Sequence, residues 1–157
     1  MAASPRSPVP KVTPAPEKDE LWESLHSVYF LLTEHLGEVL APFDLAVVEY
    51  RALRICMDGP ARATDLTHRL GLTPSGGTEL IDRLERRRLV RRSENPTDRR
   101  SVLVALTANG QRLVVAARAA RRAELRRFAR AMSPERQERL KNDLQELLAA
   151  ARDTLRT

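Results

Sequence analysis

Residues 63–90 read ATDLTHRLGLTPSGGTELIDRLERRRLV. Leu66 and Leu70 stand four apart, the spacing that stacks two side chains on one helix face. Gly71 follows, where helices commonly end in a left-handed residue. Thr73 then offers a hydroxyl acceptor and Pro74 a fixed φ for the first turn of a second helix, which runs to about Arg87. On that helix Leu80, Ile81 and Leu84 make the apolar face, while Ser75, Thr78, Glu79, Asp82, Arg83 and Arg86 point outward. Two short helices joined by a tight glycine-containing turn form a helix-turn-helix.

Downstream, residues 89–94 (LVRRSE) and 101–106 (SVLVAL) read as two strands, the second rich in β-branched residues. Asn95-Pro96-Thr97-Asp98 between them has turn composition. Thr107 caps a long helix to about Met132, and Ser133-Pro134-Glu135 opens a last helix carrying Leu140, Leu144, Leu147, Leu148 and Leu155. Upstream, Leu21, Leu25, Val28, Leu32, Leu36 and Val39 recur at helical steps from Glu17 to about Ala41. Asp44 is expected to cap a second helix through Val48, Ala52 and Ile55, which Asp58-Gly59-Pro60 ends. Residues 1–16 hold five of the ten prolines and read as a flexible tail.

The pattern is mainly α with a small β-hairpin wing: a winged helix-turn-helix flanked by N- and C-terminal dimerisation helices. It divides into a tail (1–16), an N-terminal dimerisation helix (17–44), the winged module (45–107) and C-terminal dimerisation helices (108–157). The flanking apolar stripes exceed what so small a module can cover, and a second copy is the natural way to bury them.

Composition narrows the function. A chain of 157 residues with 42% hydrophobic content makes one domain's core and excludes global disorder. No apolar run approaches the ~20 residues of a membrane span, and no signal segment opens the chain, so a cytoplasmic, nucleoid-associated protein without a membrane partner is expected. Cys56 is the single cysteine, which excludes an internal disulfide, and it is expected to be a buried structural thiol. His26, His35 and His68 lack metal-ligand spacing, so no metal or cofactor is expected. No phosphate-binding glycine loop, nucleophile elbow or acid/base pair appears, so no enzyme is expected.

Of 27 basic residues 24 are arginine, and the net charge is +6. Residues 17–58 carry three bases against nine acids, residues 59–100 ten against six, and residues 101–131 seven against one. An acidic start and a basic centre are what a nucleic-acid face looks like in sequence. A GC-rich coding bias also favours arginine, and composition alone does not choose.

These residues resemble the multiple-antibiotic-resistance regulator (MarR) family of transcription factors. The similarity runs from about Leu21 to the C-terminus. It is most specific in Leu70-Gly71-Leu72-Thr73-Pro74-Ser75, in Leu80-Ile81-Asp82-Arg83-Leu84-Glu85, and in Asp98-Arg99-Arg100 through Thr107 and Gly110. The resemblance implies a homodimer on a palindromic double-stranded operator, a repressor relieved by a small aromatic or phenolic ligand. A ligand-independent architectural, nucleoid-type DNA binder is the alternative.

The helix from Pro74 then reads the major groove, with Thr73, Ser75, Gly76, Thr78, Glu79 and Arg83 at or near DNA. Ordinary capping is the other reading of Ser75 and Thr78, and a pair with Glu79 that of Arg83. Gly76 and Gly77 either admit the DNA backbone closely or leave the first turn frayed. In the family the wing arginine enters the minor groove and the aspartate orients it, which maps onto Arg100 and Asp98, with Arg99 available for phosphate. A solvated hairpin tip is the other reading. In the family a glycine often stands at the position of Arg88 after this helix, so the resemblance implies a left-handed Arg88 at a cost of about 1 kcal/mol. Trp22, His26 and Tyr29 share a helix face and are ligand-pocket candidates, or else interface core.

Overall fold

The computed structural model describes residues 16–98 and 100–154. The expected tail through Ala15, Arg99 at the wing, and Leu155 lie outside the described residues. Pro16, counted with the tail, is the first residue of α1 (Pro16–Leu40). Two units divide the chain between His35 and Leu36. In the first, α1 leaves Leu21, Trp22, Val28, Tyr29 and Phe30 exposed.

The second unit holds the core. Its elements are α2 (Val47–Ile55), β1 (Ala61–Arg62), α3 (Ala63–Arg69), α4 (Pro74–Arg86), β2 (Val90–Glu94), β3 (Val102–Leu106), α5 (Ala108–Ala129) and α6 (Pro134–Thr154). Leu40, Tyr50, Leu53, Leu66, Leu80, Ile81, Leu84, Val104 and Val114 are all 2% exposed or less. They come from α1's last turn, α2 to α5 and the sheet, so one core fixes α3 and α4 against each other and against the wing. The fold is mainly helical, with a three-stranded antiparallel sheet of order β1-β3-β2. Val90 pairs with Leu106 and Glu94 with Val102.

Several local expectations hold for their stated reasons. Gly71 ends α3 with φ 66°. The Thr73 hydroxyl accepts from the Gly76 N–H at 3.2 Å, and the Thr107 hydroxyl from the Gly110 N–H at 3.0 Å. Arg88 sits at φ 56° after α4. Gly110 is required sterically: a Cβ there would lie 1.9 Å from the Leu89 carbonyl oxygen. That close approach lets the Thr107 N–H donate to the same carbonyl at 3.0 Å, tying the start of α5 to the wing.

Two expectations are corrected. Asp44 does not cap α2; it closes the 3-10 turn Ala41–Phe43 at φ 51°, with its own N–H on the Ala41 carbonyl. Aspartate tolerates that left-handed geometry, and the cap passes to Ala46, which has no side-chain acceptor. Glu49 compensates by reaching back to the Ala46 N–H at 3.0 Å. The wing also has a third strand that was not anticipated, because two residues, Ala61 and Arg62, show no alternation to read.

Candidate nucleic-acid interface

The outward face of α4 begins with the Thr73 cap. Thr73 Oγ1 and Ser75 Oγ lie 3.2 Å apart, and the Thr78 hydroxyl donates to the Pro74 carbonyl at 3.0 Å. Thr73, Ser75, Thr78, Glu79 and Arg83 are exposed. The first turn is formed, and its second glycine has a packing reason. Gly77 is buried, and a Cβ there would fall 2.1 Å from Thr67 Oγ1 of α3. The turn is therefore neither frayed nor, at Gly77, open for DNA approach; that glycine lets α3 and α4 close together. A Cβ at Gly76 would meet its own cap, 3.2 Å from Thr73 Oγ1, and Leu72 Cβ at 4.0 Å.

Arg83 does not pair with Glu79. Its Nε donates to Oε1 of Glu49 on α2 at 2.8 Å, and Arg87 Nη1 donates to Oε2 at 3.1 Å. Glu49 is only 4% exposed, and a buried carboxylate must be compensated, whereas exposed Glu79 is solvated without help. Burial alone would raise the Glu49 pKa. The Ala46 N–H, Arg83 and Arg87 outweigh that effect and hold the carboxyl below its ordinary value. Arg87 also donates to the Asp44 carbonyl at 2.6 Å and meets its carboxylate at 3.1 Å. Two arginines thus fasten the second half of α4 to α2 and the turn before it. Arg83 nevertheless stays 46% exposed.

A second clamp joins α4 to the wing. Arg92 on β2 donates to Asp82 at 2.6 Å and to Glu85, whose carboxylate also takes the Arg92 backbone N–H at 3.0 Å. The hairpin tip is held by its own side chains. Asn95, 5% exposed, donates to Ser101 Oγ at 2.8 Å and accepts from the Thr97 N–H and hydroxyl. Asp98 Oδ1 accepts the Arg100 backbone N–H at 3.1 Å, so the aspartate sets the backbone that carries the arginine. Arg100 is exposed at this tip.

The sequence-predicted residues fall into three places. Thr73 to Arg83 share α4 and its cap, Asp98 and Arg100 sit at the hairpin tip, and Trp22, His26 and Tyr29 lie exposed on α1. Missed were Glu49, Arg87, Arg92 and Asn95, which hold α4 and the hairpin in place. Only Asn95 left a signal, as the first residue of an Asn-Pro turn. Burial raises the Cys56 thiol to about 11 against the opposing charge of Arg69, as for an unreactive structural cysteine.

A helix-turn-helix whose second helix is clamped to a β-hairpin defines a winged-helix module. A profile of the MarR family matches residues 43–101. The chain is 32% identical over 97 residues to the uncharacterized HTH-type transcriptional regulator YhbI of Bacillus subtilis strain 168, covering 61% of this chain and 63% of that protein. It is 30% identical over 122 residues to YfiV of the same organism, another uncharacterized HTH-type transcriptional regulator, covering 76% and 75%. AbsC, a MarR family transcriptional regulator from Streptomyces coelicolor, superposes with TM-score 0.77 at 26% identity over 91% of this chain and 99% of its own. CouR from Rhodococcus jostii RHA1, solved bound to p-coumaroyl-CoA, does so with TM-score 0.71 at 28% identity over 83% and 92%. The chain belongs to the MarR family of transcriptional regulators. No helix among the described residues is long and apolar enough to cross a membrane.

Proposed function

We propose that the chain is a homodimeric repressor that binds a palindromic double-stranded operator and is released by a small effector. The observation that carries this reading is the Arg92 clamp. By tying β2 to Asp82 and Glu85, it makes α4 and the wing one rigid reader. Thr73, Ser75, Gly76, Thr78 and Glu79 then meet the major groove. Arg83, anchored through Nε, turns its exposed side to phosphate. Arg100, on a tip set by Asp98, enters the adjacent minor groove, and Arg99 takes phosphate there.

Dimerisation falls to residues 17–44 and 108–157, in support of which Leu140, Leu144, Leu147 and Leu148 of α6 are 39–54% exposed. Trp22, His26 and Tyr29 offer an aromatic face for an effector, and the relative CouR, crystallised with p-coumaroyl-CoA, supports a ligand of aromatic character. The relatives are transcriptional regulators, which supports a non-enzymatic role acted out in the cytoplasm on the nucleoid.

Footprinting on DNA upstream of the protein's own gene tests the reading. One protected palindrome is expected, whereas uniform coverage at moderate salt would establish an architectural binder instead. On that palindrome Arg100→Ala should weaken binding by about 1–3 kcal/mol with the dimer intact. Unchanged anisotropy titrations would remove the wing from the interface.

A further inference from the structure

Helix α4 carries three acids, Glu79, Asp82 and Glu85, and two of them are neutralised within the protein. Arg92 takes both Asp82 and Glu85. Glu79 has Arg83 one turn further on, but that guanidinium is taken by Glu49. Among the described residues Glu79 therefore has no hydrogen-bond or ion-pair partner. The hydroxyls before it are engaged locally: Thr73 takes the Gly76 N–H and lies in hydrogen-bond contact with Ser75, and Thr78 donates to the Pro74 carbonyl. Ser75, Glu79, Asp82 and Arg86 follow at four- and three-residue steps, which sets them on one ridge. That ridge is exposed throughout and stands opposite the buried Gly77, Leu80, Ile81 and Leu84. An uncompensated carboxylate thus sits in the second turn of α4, on the crest farthest from the core.

We infer that Glu79 is a specificity-determining residue that selects a cytosine in each half-site of the operator by accepting from its N4 amino group. The chemistry singles out that base, because an ionised carboxylate can only accept. In the major groove guanine shows two acceptors, and thymine an acceptor and a methyl group. Adenine shows a donor beside an acceptor, and cytosine a donor alone. The place is right as well, since the N-terminal residues of a recognition helix are the ones that meet base edges. A carboxylate that found no such donor would only repel phosphate and weaken binding to every sequence alike. The inference rests on the preceding reading, in which α4 enters the major groove of a palindromic operator, and adds the base that one side chain reads there.

In the test, the full-length parent, Glu79→Ala and Glu79→Gln each select duplexes from a random pool, and the selected sites are compared by anisotropy titration at one salt concentration. The parent should favour cytosine over the other three bases by at least about fivefold at one position of each half-site. Glu79→Ala should bring that ratio below about twofold while the other positions keep their preferences. Glu79→Gln should move the preference to adenine, whose N6 and N7 suit an amide. Both variants should melt with the parent, because the side chain is exposed and unpartnered. The ratio of affinities decides, since removing one negative charge strengthens binding to all sequences together and cancels in it. If Glu79→Ala binds every duplex more tightly yet selects the same cytosine as the parent, Glu79 reads no base and the inference alone fails. If the parent itself selects no sequence, the operator reading fails first and the inference falls with it.

Discussion

Helices α4 and α6 are both stripes of leucine among charged residues, yet they are stabilised differently. Of its 13 residues α4 buries Gly77, Leu80, Ile81 and Leu84; of its 21 residues α6 buries none. The apolar side of α4 packs on α3 and β2 within the shared core, and its charged side is tied down by Glu49 and Arg92. The leucines of α6 at 140, 144, 147 and 148 stand exposed in the single chain. Helical periodicity alone therefore does not say whether a stripe is covered from within the chain or by something else. In α4 the covering partner is close in sequence, and that is what makes a helix-turn-helix a self-sufficient motif.

The largest effect that separates the two helices should come from the core. Leu84 is fully buried, and Leu84→Ala should cost about 2–5 kcal/mol in urea unfolding, through lost transfer energy and the cavity left behind. A loss below about 1 kcal/mol would mean that α4 is no better packed than α6. Next comes Gly77→Ala. Its methyl group would overlap Thr67 at 2.1 Å, forcing α3 and α4 apart at a cost of about 1–3 kcal/mol. Thr67→Ala in the same chain removes the two closest atoms and should restore part of the loss. Additive costs in the double variant would show that the two residues do not meet.

How much of this could be read in advance follows from sequence distance. The caps at Thr73 and Thr107, the left-handed Gly71 and the apolar face of α4 depend on neighbours a few residues away and were legible, whereas the left-handed Arg88 followed only from the family resemblance. The recipients of the arginines were not. Arg83 has Glu79 four residues before it, yet Glu49, 34 residues away, takes it. Local spacing cannot show that Glu49 is buried and Glu79 is not. Gly77 misled for the same reason, since its helix cost is visible in sequence while its partner Thr67 is visible only once α3 and α4 are packed. Asp44 and Ala46 differ by two residues, and only the 3-10 turn after α1 decides which of them precedes α2.

Smaller than either packing variant should be Glu49→Gln, at about 1–2 kcal/mol, because Arg83 and Arg87 keep contact with water when their partner loses its charge. Its signature is pH dependence. Folding holds the Glu49 pKa below its ordinary value. Its contribution is therefore complete above the unfolded-state pKa and is lost as pH falls through the lower folded value. Parent and variant should differ at neutral pH and converge below the ordinary carboxylate range. A gap that survives acidification would assign the loss to shape rather than charge.

The smallest effect on the protomer itself should come from α6. Leu144 is 41% exposed, so truncating it removes few contacts within the chain, and Leu144→Ala should leave protomer unfolding within about 0.5 kcal/mol. If a second copy covers that stripe, the substitution appears elsewhere: the dimer dissociates at higher protein concentration, and the concentration dependence of the Tm steepens. Leu84→Ala should do the reverse, lowering stability at every concentration without selectively loosening the dimer. Sedimentation equilibrium on both variants separates the cases. If Leu144→Ala leaves the association constant unchanged, that leucine has no place in the interface, and the exposed side of α6 must be explained by something other than a second copy of the chain.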